Sequence, residues 1–138
     1  MNIDHICIAV KSIEKAAEKF CQLFDYSIYT DIVENTRQQV KVQFLRKEGS
    51  LEIKLIEPVN RESPLVAFLK KGEGLHHICF KTDELNSTMD KLEQFGARVL
   101  SSPQPGEAFD NELITFLYAG HGLNFELIET GKRRSIKS

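Results

Sequence analysis

Ile3-Asp4-His5-Ile6-Cys7-Ile8, almost at the start of the chain, returns as Leu75-His76-His77-Ile78-Cys79-Phe80, an offset of 72 residues. The offset holds onward without a gap. Lys19 and Gln22 fall on Lys91 and Gln94, Phe44-Leu45 on Phe116-Leu117, Leu51 on Leu123, and Leu55-Ile56-Glu57 on Leu127-Ile128-Glu129. One register kept over so much of each half marks two structural copies of a single unit.

Each copy reads as βαβββ. Residues 3–10 are a β-branched run and so a strand. After Ser12, a helix N-cap by residue type, Ile13, Ala16, Ala17, Phe20 and Phe24 recur at helical spacing. Strands are expected near 26–33, 39–46 and 51–57, the last two joined by a turn at Glu48-Gly49-Ser50. The second copy repeats the order, with a strand at 75–82, a helix at 85–95 stopped by Gly96, and strands near 97–101, 112–118 and 122–129. Between the copies, Ser63, Pro64 and Gly72 bracket a short linker helix. The stretch from Ser101 to Asn111, with Pro103, Pro105 and Gly106, reads as the longest loop and a candidate lid.

These elements give one α+β domain over residues 1–138, built from two tandem βαβββ modules. The modules form a cupped mixed sheet with helices on its outer face. Module one is 1–58, the linker 59–74, module two 75–130, and a basic tail 131–138 closes the chain.

Strand alternation assigns the faces. Ile6, Ile8 and Val10 point to the helix side, leaving His5, Cys7 and Ala9 for the other. The copy gives His77, Cys79 and Lys81 to that second side and turns His76 toward the helix. In the last strands Glu52, Lys54 and Ile56 oppose Ile53 and Leu55, as Asn124, Glu126 and Ile128 oppose Phe125 and Leu127. A polar concave face carrying His5, Lys54, His77 and Glu126 is therefore expected, with 5 matched to 77 and 54 to 126. Two imidazoles and a carboxylate are suitable ligands for a divalent transition metal. Cys7 and Cys79 fit small buried fillers better than ligands. Together with Gln43 and Glu52 they are the candidate substrate contacts. His121, in a hairpin turn, takes no role.

The totals exclude several function classes. With 41% hydrophobic and 28% charged residues the chain is ordinary for a globular domain. A net charge of −2 provides no basic field for nucleic acid or an anionic membrane. The run Lys132-Arg133-Arg134, with Lys137, reads as a solvated, frayed terminus. No apolar stretch reaches the roughly 18–20 residues that span a bilayer. Three cysteines, Cys7, Cys21 and Cys79, match no zinc spacing, and reduced thiols in the cytoplasm are the natural reading.

The paired signatures Asp4-His5-Ile6-Cys7-Ile8-Ala9-Val10 and Gly74-Leu75-His76-His77-Ile78-Cys79-Phe80 resemble the two metal-histidine strands of the vicinal oxygen chelate superfamily of glyoxalases, bleomycin-resistance proteins and dioxygenases. The linker from Glu57-Pro58 to Gly72-Glu73-Gly74 and the closing Asn124-Phe125-Glu126-Leu127-Ile128-Glu129 are similar to the methylmalonyl-CoA epimerase branch. The resemblance covers residues 3–130. It implies a small-molecule substrate, a homodimer as one assembly, and a divalent metal (zinc, cobalt, nickel, manganese or iron) held by a histidine and a Glu or Gln from one half and a histidine and a glutamate from the other. His5, His77 and Glu126 match three of those positions, and the fourth is Lys54.

A dication about 4 Å from an ammonium costs on the order of 8 kcal/mol at an effective dielectric near 20. Either the lysine swings away, or it loses its proton, or there is no metal. The metal-free form is the favoured reading, with Lys54 paired to Glu126. The family's other proton-transfer carboxylate also has no clear match in Thr36-Arg37-Gln38-Gln39, with Glu34 and Glu48 the nearest acids.

Three functions follow. The first is a lyase or isomerase acting through an enolate on a hydroxy-carbonyl or acyl-thioester substrate, with Lys54 and Glu126 as catalytic groups. The second is a metal-free binding protein of the bleomycin-resistance type. The third is a non-haem iron dioxygenase using His5, His77 and Glu126.

Overall fold

The computed structural model describes residues 1–138. Module one runs β1 (Asn2–Ala9), α1 (Ile13–Phe24), β2 (Ser27–Ile28), β3 (Val33–Asn35), β4 (Val40–Arg46) and β5 (Glu52–Pro58). A short helix α2 (Leu65–Leu69) leads to β6 (Gly74–Lys81), α3 (Leu85–Gln94), β7 (Arg98–Gly106), β8 (Glu112–Tyr118) and β9 (Asn124–Ile128), with a 3-10 turn at Glu107–Phe109. The nine strands form one mixed sheet in the order β2-β4-β5-β1-β6-β9-β8-β7, and β3 adds to β4. No helix is long and apolar enough to cross a membrane.

The repeat becomes symmetry at the centre of this sheet. β1 lies parallel to β5 with Cys7 opposite Lys54, and β6 lies parallel to β9 with Cys79 opposite Glu126. The modules join where β1 runs antiparallel to β6, so both halves of the cup come from one chain. Even the helix starts obey the offset. Ser12 caps α1 through Lys15 N and Glu84 caps α3 through Ser87 N. Glu57 accepts from Ile13 N at 2.9 Å and Glu129 from Leu85 N at 2.6 Å. A carboxylate at each helix N-terminus takes an otherwise unpaired N–H and favours the helix dipole.

The two faces separate as the alternation requires. Val10, Ile13, Ala17, Leu45, Ile53 and Leu55 pack under α1, and Leu85, Met89, Leu117, Phe125 and Leu127 under α3. The concave face holds its own apolar cluster, including Cys7, Val42, Phe44, Ile56, Cys79, Phe109 and Ile128. It is therefore mainly apolar, with a few charged side chains embedded in it, and not the polar surface expected.

Two elements differ from expectation. The strand near 26–33 breaks into β2 and β3, which pair separately with β4. The expected lid at 101–111 is largely β7, which continues through Pro103 and Pro105 to Gly106 with register shifts beside Ser101. β7 is the edge strand, so a proline there forfeits no ladder bond on its open side.

Candidate active site

Four adjacent strands each send one side chain to the same point: Lys54 from β5, His5 from β1, His77 from β6 and Glu126 from β9. All four are buried, at 2%, 0%, 3% and 0% exposure, so their charges must be settled among themselves. Glu126 Oε1 lies 3.1 Å from His5 Nε2 and 3.2 Å from His77 Nε2. Lys54 Nζ donates to both Glu126 oxygens at 3.4 Å and sits 5.2 Å from the centre of the Phe109 ring. The expected convergence of these residues is present.

Burial is the largest influence and pushes the Lys54 ammonium toward neutrality, but the Glu126 charge, together with smaller contributions from Cys7, Cys79 and the hydrogen bond to Glu126, raises the lysine above its ordinary value. Burial likewise opposes ionisation of Glu126. The Lys54 charge and the hydrogen bonds from both histidines override it and hold the carboxyl well below the usual range. The pair is ionic. Burial is also the main reason that His77 is pushed down to about 4, so its ring is neutral at pH 7. Stability should therefore fall as pH drops from the usual histidine value of 6.5 toward 4. Over that window the unfolded chain takes up a proton that the folded His77 refuses, a loss on the order of 3 kcal/mol. Urea midpoints across this range, with a flatter profile for His77→Gln, check it.

A cavity of about 370 Å³ opens beside this cluster. Lys54 and His77 form part of its wall, with Ile56 and Phe116 beside them. Arg37, Gln38, His76 and Asn124 add polar groups, and Pro64, Leu65 and Leu100 add apolar ones. Arg37 and Lys54 bring positive charges to the wall, the second balanced by Glu126 behind it, and no carboxylate lines the cavity itself, which suits an anionic ligand.

Several residues sit elsewhere than expected. His76 does not face the helix. Cys7 pairs with His77 and Ile8 with Leu75, so His76 is the extra residue of a β-bulge that turns it to the cavity. There its ring packs on Phe68 and its Nδ1 lies 2.8 Å from His77 Nδ1. Gln43 leaves the cup, because Val42 and Phe44 take the concave side of β4, and it donates to the Thr30 carbonyl. Glu52 is on the concave side but is bound by Arg133 at 3.1 Å, away from the cavity wall. Cys7 and Cys79 are buried fillers; burial pushes the Cys7 thiol up to about 12 and raises Cys79 as well. The tail is not frayed: Arg133 is 4% exposed, with its guanidinium against Asp4, Glu52 and the Phe44 ring. No hydrophobic period marks a tail arginine, which is why sequence reading misses it.

His5, His77 and Glu126 present donor atoms within 4.8 Å of one another, a spacing a metal could bridge. Asp4 accepts from His5 Nδ1 at 2.7 Å, as the partner of a metal-bound histidine does. The charged Lys54 does not fit. Its ammonium touches the oxygens a metal would need, and the cost at that range is on the order of 8 kcal/mol. The donor set as it stands suits a resident ammonium and not a dication.

A family model described as the glyoxalase/bleomycin resistance protein/dioxygenase superfamily matches residues 4–118. The ethylmalonyl-CoA/methylmalonyl-CoA epimerase of Cereibacter sphaeroides is 29% identical over 118 residues, 84% of this chain and 87% of that protein. The uncharacterised Bacillus subtilis protein YqjC is 39% identical over 117 residues, 83% and 81% of the two chains. A methylmalonyl-CoA epimerase solved with methylmalonyl-CoA and NH4+ superposes with a TM-score of 0.83 at 28% identity, covering 97% of each chain. With the family model spanning both modules' signature strands, the chain belongs to the glyoxalase/bleomycin resistance protein/dioxygenase superfamily.

Proposed function

We propose that the chain is an isomerase-type enzyme that moves a proton at the carbon next to an acyl-thioester carbonyl, through an enolate and without a metal. The observation that carries this reading is the Lys54 ammonium, buried against Glu126 at the wall of a cavity. A preorganised cation in a dry site stabilises the oxygen that becomes negative in the enolate, and it needs no reorganisation to do so. Acyl-CoA epimerases among the relatives supply the thioester as substrate class. The NH4+ present with substrate in one of them is chemically a lysine head group without its tether.

The proton has a route as well. His76 Nδ1 meets His77 Nδ1, and His77 Nε2 meets Glu126. Burial lowers both histidines, so both rings are neutral bases. A proton leaving the substrate carbon for His76 Nε2 releases the Nδ1 proton of that ring to His77, which passes its Nε2 proton to Glu126. The carbon–hydrogen electron pair stays behind as the enolate, with its oxygen on Lys54, and inversion is complete when the enolate turns its other face to His76 before the relay runs in reverse. Glu126 thus acts through the two imidazoles although it does not line the cavity itself.

Deuterium incorporation at C2 of methylmalonyl- and ethylmalonyl-CoA in D2O tests this. Exchange is expected at full rate in excess chelator, and His76→Phe should slow it by about 100-fold. Exchange that vanishes with chelator and returns with cobalt would overturn the metal-free mechanism. Thermal protection by the thioesters with no exchange would instead make the chain a ligand-binding protein, the reading that a closed Lys54–Glu126 pair otherwise favours.

A further inference from the structure

The C-terminal segment crosses between the two modules on the concave side. Arg134 N donates to the Ala108 carbonyl of module two at 3.0 Å, while Asp31 N donates to the Ser135 carbonyl and Lys137 N to that of Tyr29, both at 2.9 Å. Ile136 forms an isolated bridge with Thr30 of module one. Between these attachments Arg133 turns inward. Its Nε donates to Glu52 Oε1 at 3.1 Å, one terminal nitrogen to Asp4 Oδ2, and the other to the Lys132 carbonyl at 3.0 Å. The guanidinium carbon lies 4.4 Å from the centre of the Phe44 ring and 5.0 Å from that of Phe109. Phe44 and Phe109 in turn pack on the His5 ring, at 5.3 and 5.9 Å.

We infer that Arg133 is a positioning residue of the active site, fixing the orientation of His5 through Asp4. The hydrogen-bond inventory sets the direction of the contacts on Asp4. A guanidinium only donates, and an ionised carboxylate only accepts. Asp4 Oδ2 takes Arg133 on one side and His5 Nδ1 on the other, while Glu126 Oε1 meets His5 Nε2, so the ring is held between two carboxylates in one orientation. Burial disfavours the Asp4 charge, but the His5 bond and the Arg133 charge keep the carboxyl ionised. Glu52 balances the second side of the arginine, so the fork is held at both ends. Without it Asp4 has no partner that prevents it from rotating to solvent, and the imidazole loses its anchor. Four residues separate the end of β9 from Arg133, yet the residue they deliver sits one carboxylate away from the catalytic cluster.

Nitrogen-15 spectra of the His5 ring decide the matter without any substrate. Wild type should show a single ring state with a slowly exchanging Nδ1 proton held on Asp4. Arg133→Met, which keeps the stacked volume and removes the fork, should lose that protected proton, and Asp4→Ala should give the same spectrum. Arg133→Lys, reaching only one carboxylate, should lie between them and decides the question if Arg133→Met does not fold. A His5 spectrum unchanged in a folded Arg133 variant whose melting temperature has dropped would make the arginine merely structural and overturn the inference. The catalytic consequence rests on the isomerase reading: kcat for C2 exchange should fall about 10–100-fold with KM unchanged. If no substrate exchanges, that reading fails while the spectra still report on Arg133.

Discussion

Lys54→Met lowers the stability of the fold by about 3–5 kcal/mol, because it leaves the Glu126 carboxylate buried without its counter-charge. Both groups are essentially inaccessible to water, so no solvent takes over the role of the ammonium. Adding Glu126→Gln to that background should restore most of the loss. The amide oxygen still accepts from the two histidines, and a methionine packs against Phe109 much as the lysine stem does. Urea denaturation of the single and double variants measures this coupling directly. The pH dependence has a definite sign. The raised Lys54 contributes stability that is fully present below its ordinary value of 10.5 and is lost as pH rises through its folded value. The depressed Glu126 contributes stability present above 4.5 and lost as pH falls through its folded value. The gap between wild type and Lys54→Met should therefore be widest across the neutral range and narrow at both extremes. A single variant as stable as wild type at pH 7 would mean that the ion pair is open in solution.

The same symmetry that makes this pair explains how much of it the sequence reveals. An offset of 72 residues relates Lys54 to Glu126 and His5 to His77, and strict alternation puts all four on one face, so period and repeat together locate the cluster. What escapes is whatever breaks period two. The extra residue at His76 reverses that side chain, and nothing in Gly74-Leu75-His76-His77 announces a bulge. Gln43 fails for the opposite reason: its alternation is regular, but the concave side of β4 belongs to Val42 and Phe44, so polarity is a poor guide to the face. Pro103 and Pro105 suggest a loop because a proline is normally excluded from a ladder, an exclusion that lapses on an edge strand. Arg133 lies beyond all periodic sequence, and its place is set by three-dimensional charge balance with Asp4 and Glu52.

Lys54→Glu should convert the cluster into a metal centre. The substitution removes the ammonium that opposes a dication and supplies a carboxylate in its position, so a repulsion on the order of 8 kcal/mol becomes an attraction. His5 and His77 already point Nε2 inward, and Asp4 already holds the far side of the His5 ring. Without metal the variant confronts Glu126 with a second buried carboxylate, so it should be less stable than wild type. With metal that penalty disappears, because binding to the folded state alone adds stability that grows with the logarithm of the metal concentration over its dissociation constant. Cobalt(II) is the informative ion, since its visible absorption reports the coordination number. The variant should bind it at least about 1000-fold tighter than wild type, a difference of about 4 kcal/mol that leaves more than half of the electrostatic gain for strain and desolvation. Its melting temperature should rise with cobalt while that of wild type stays fixed. Should the variant ignore cobalt as wild type is expected to, then charge at position 54 is not what keeps the ion out. The cause would then lie in the packing of Phe44 and Phe109 around His5, which would hold the donor atoms too rigidly to close on a metal.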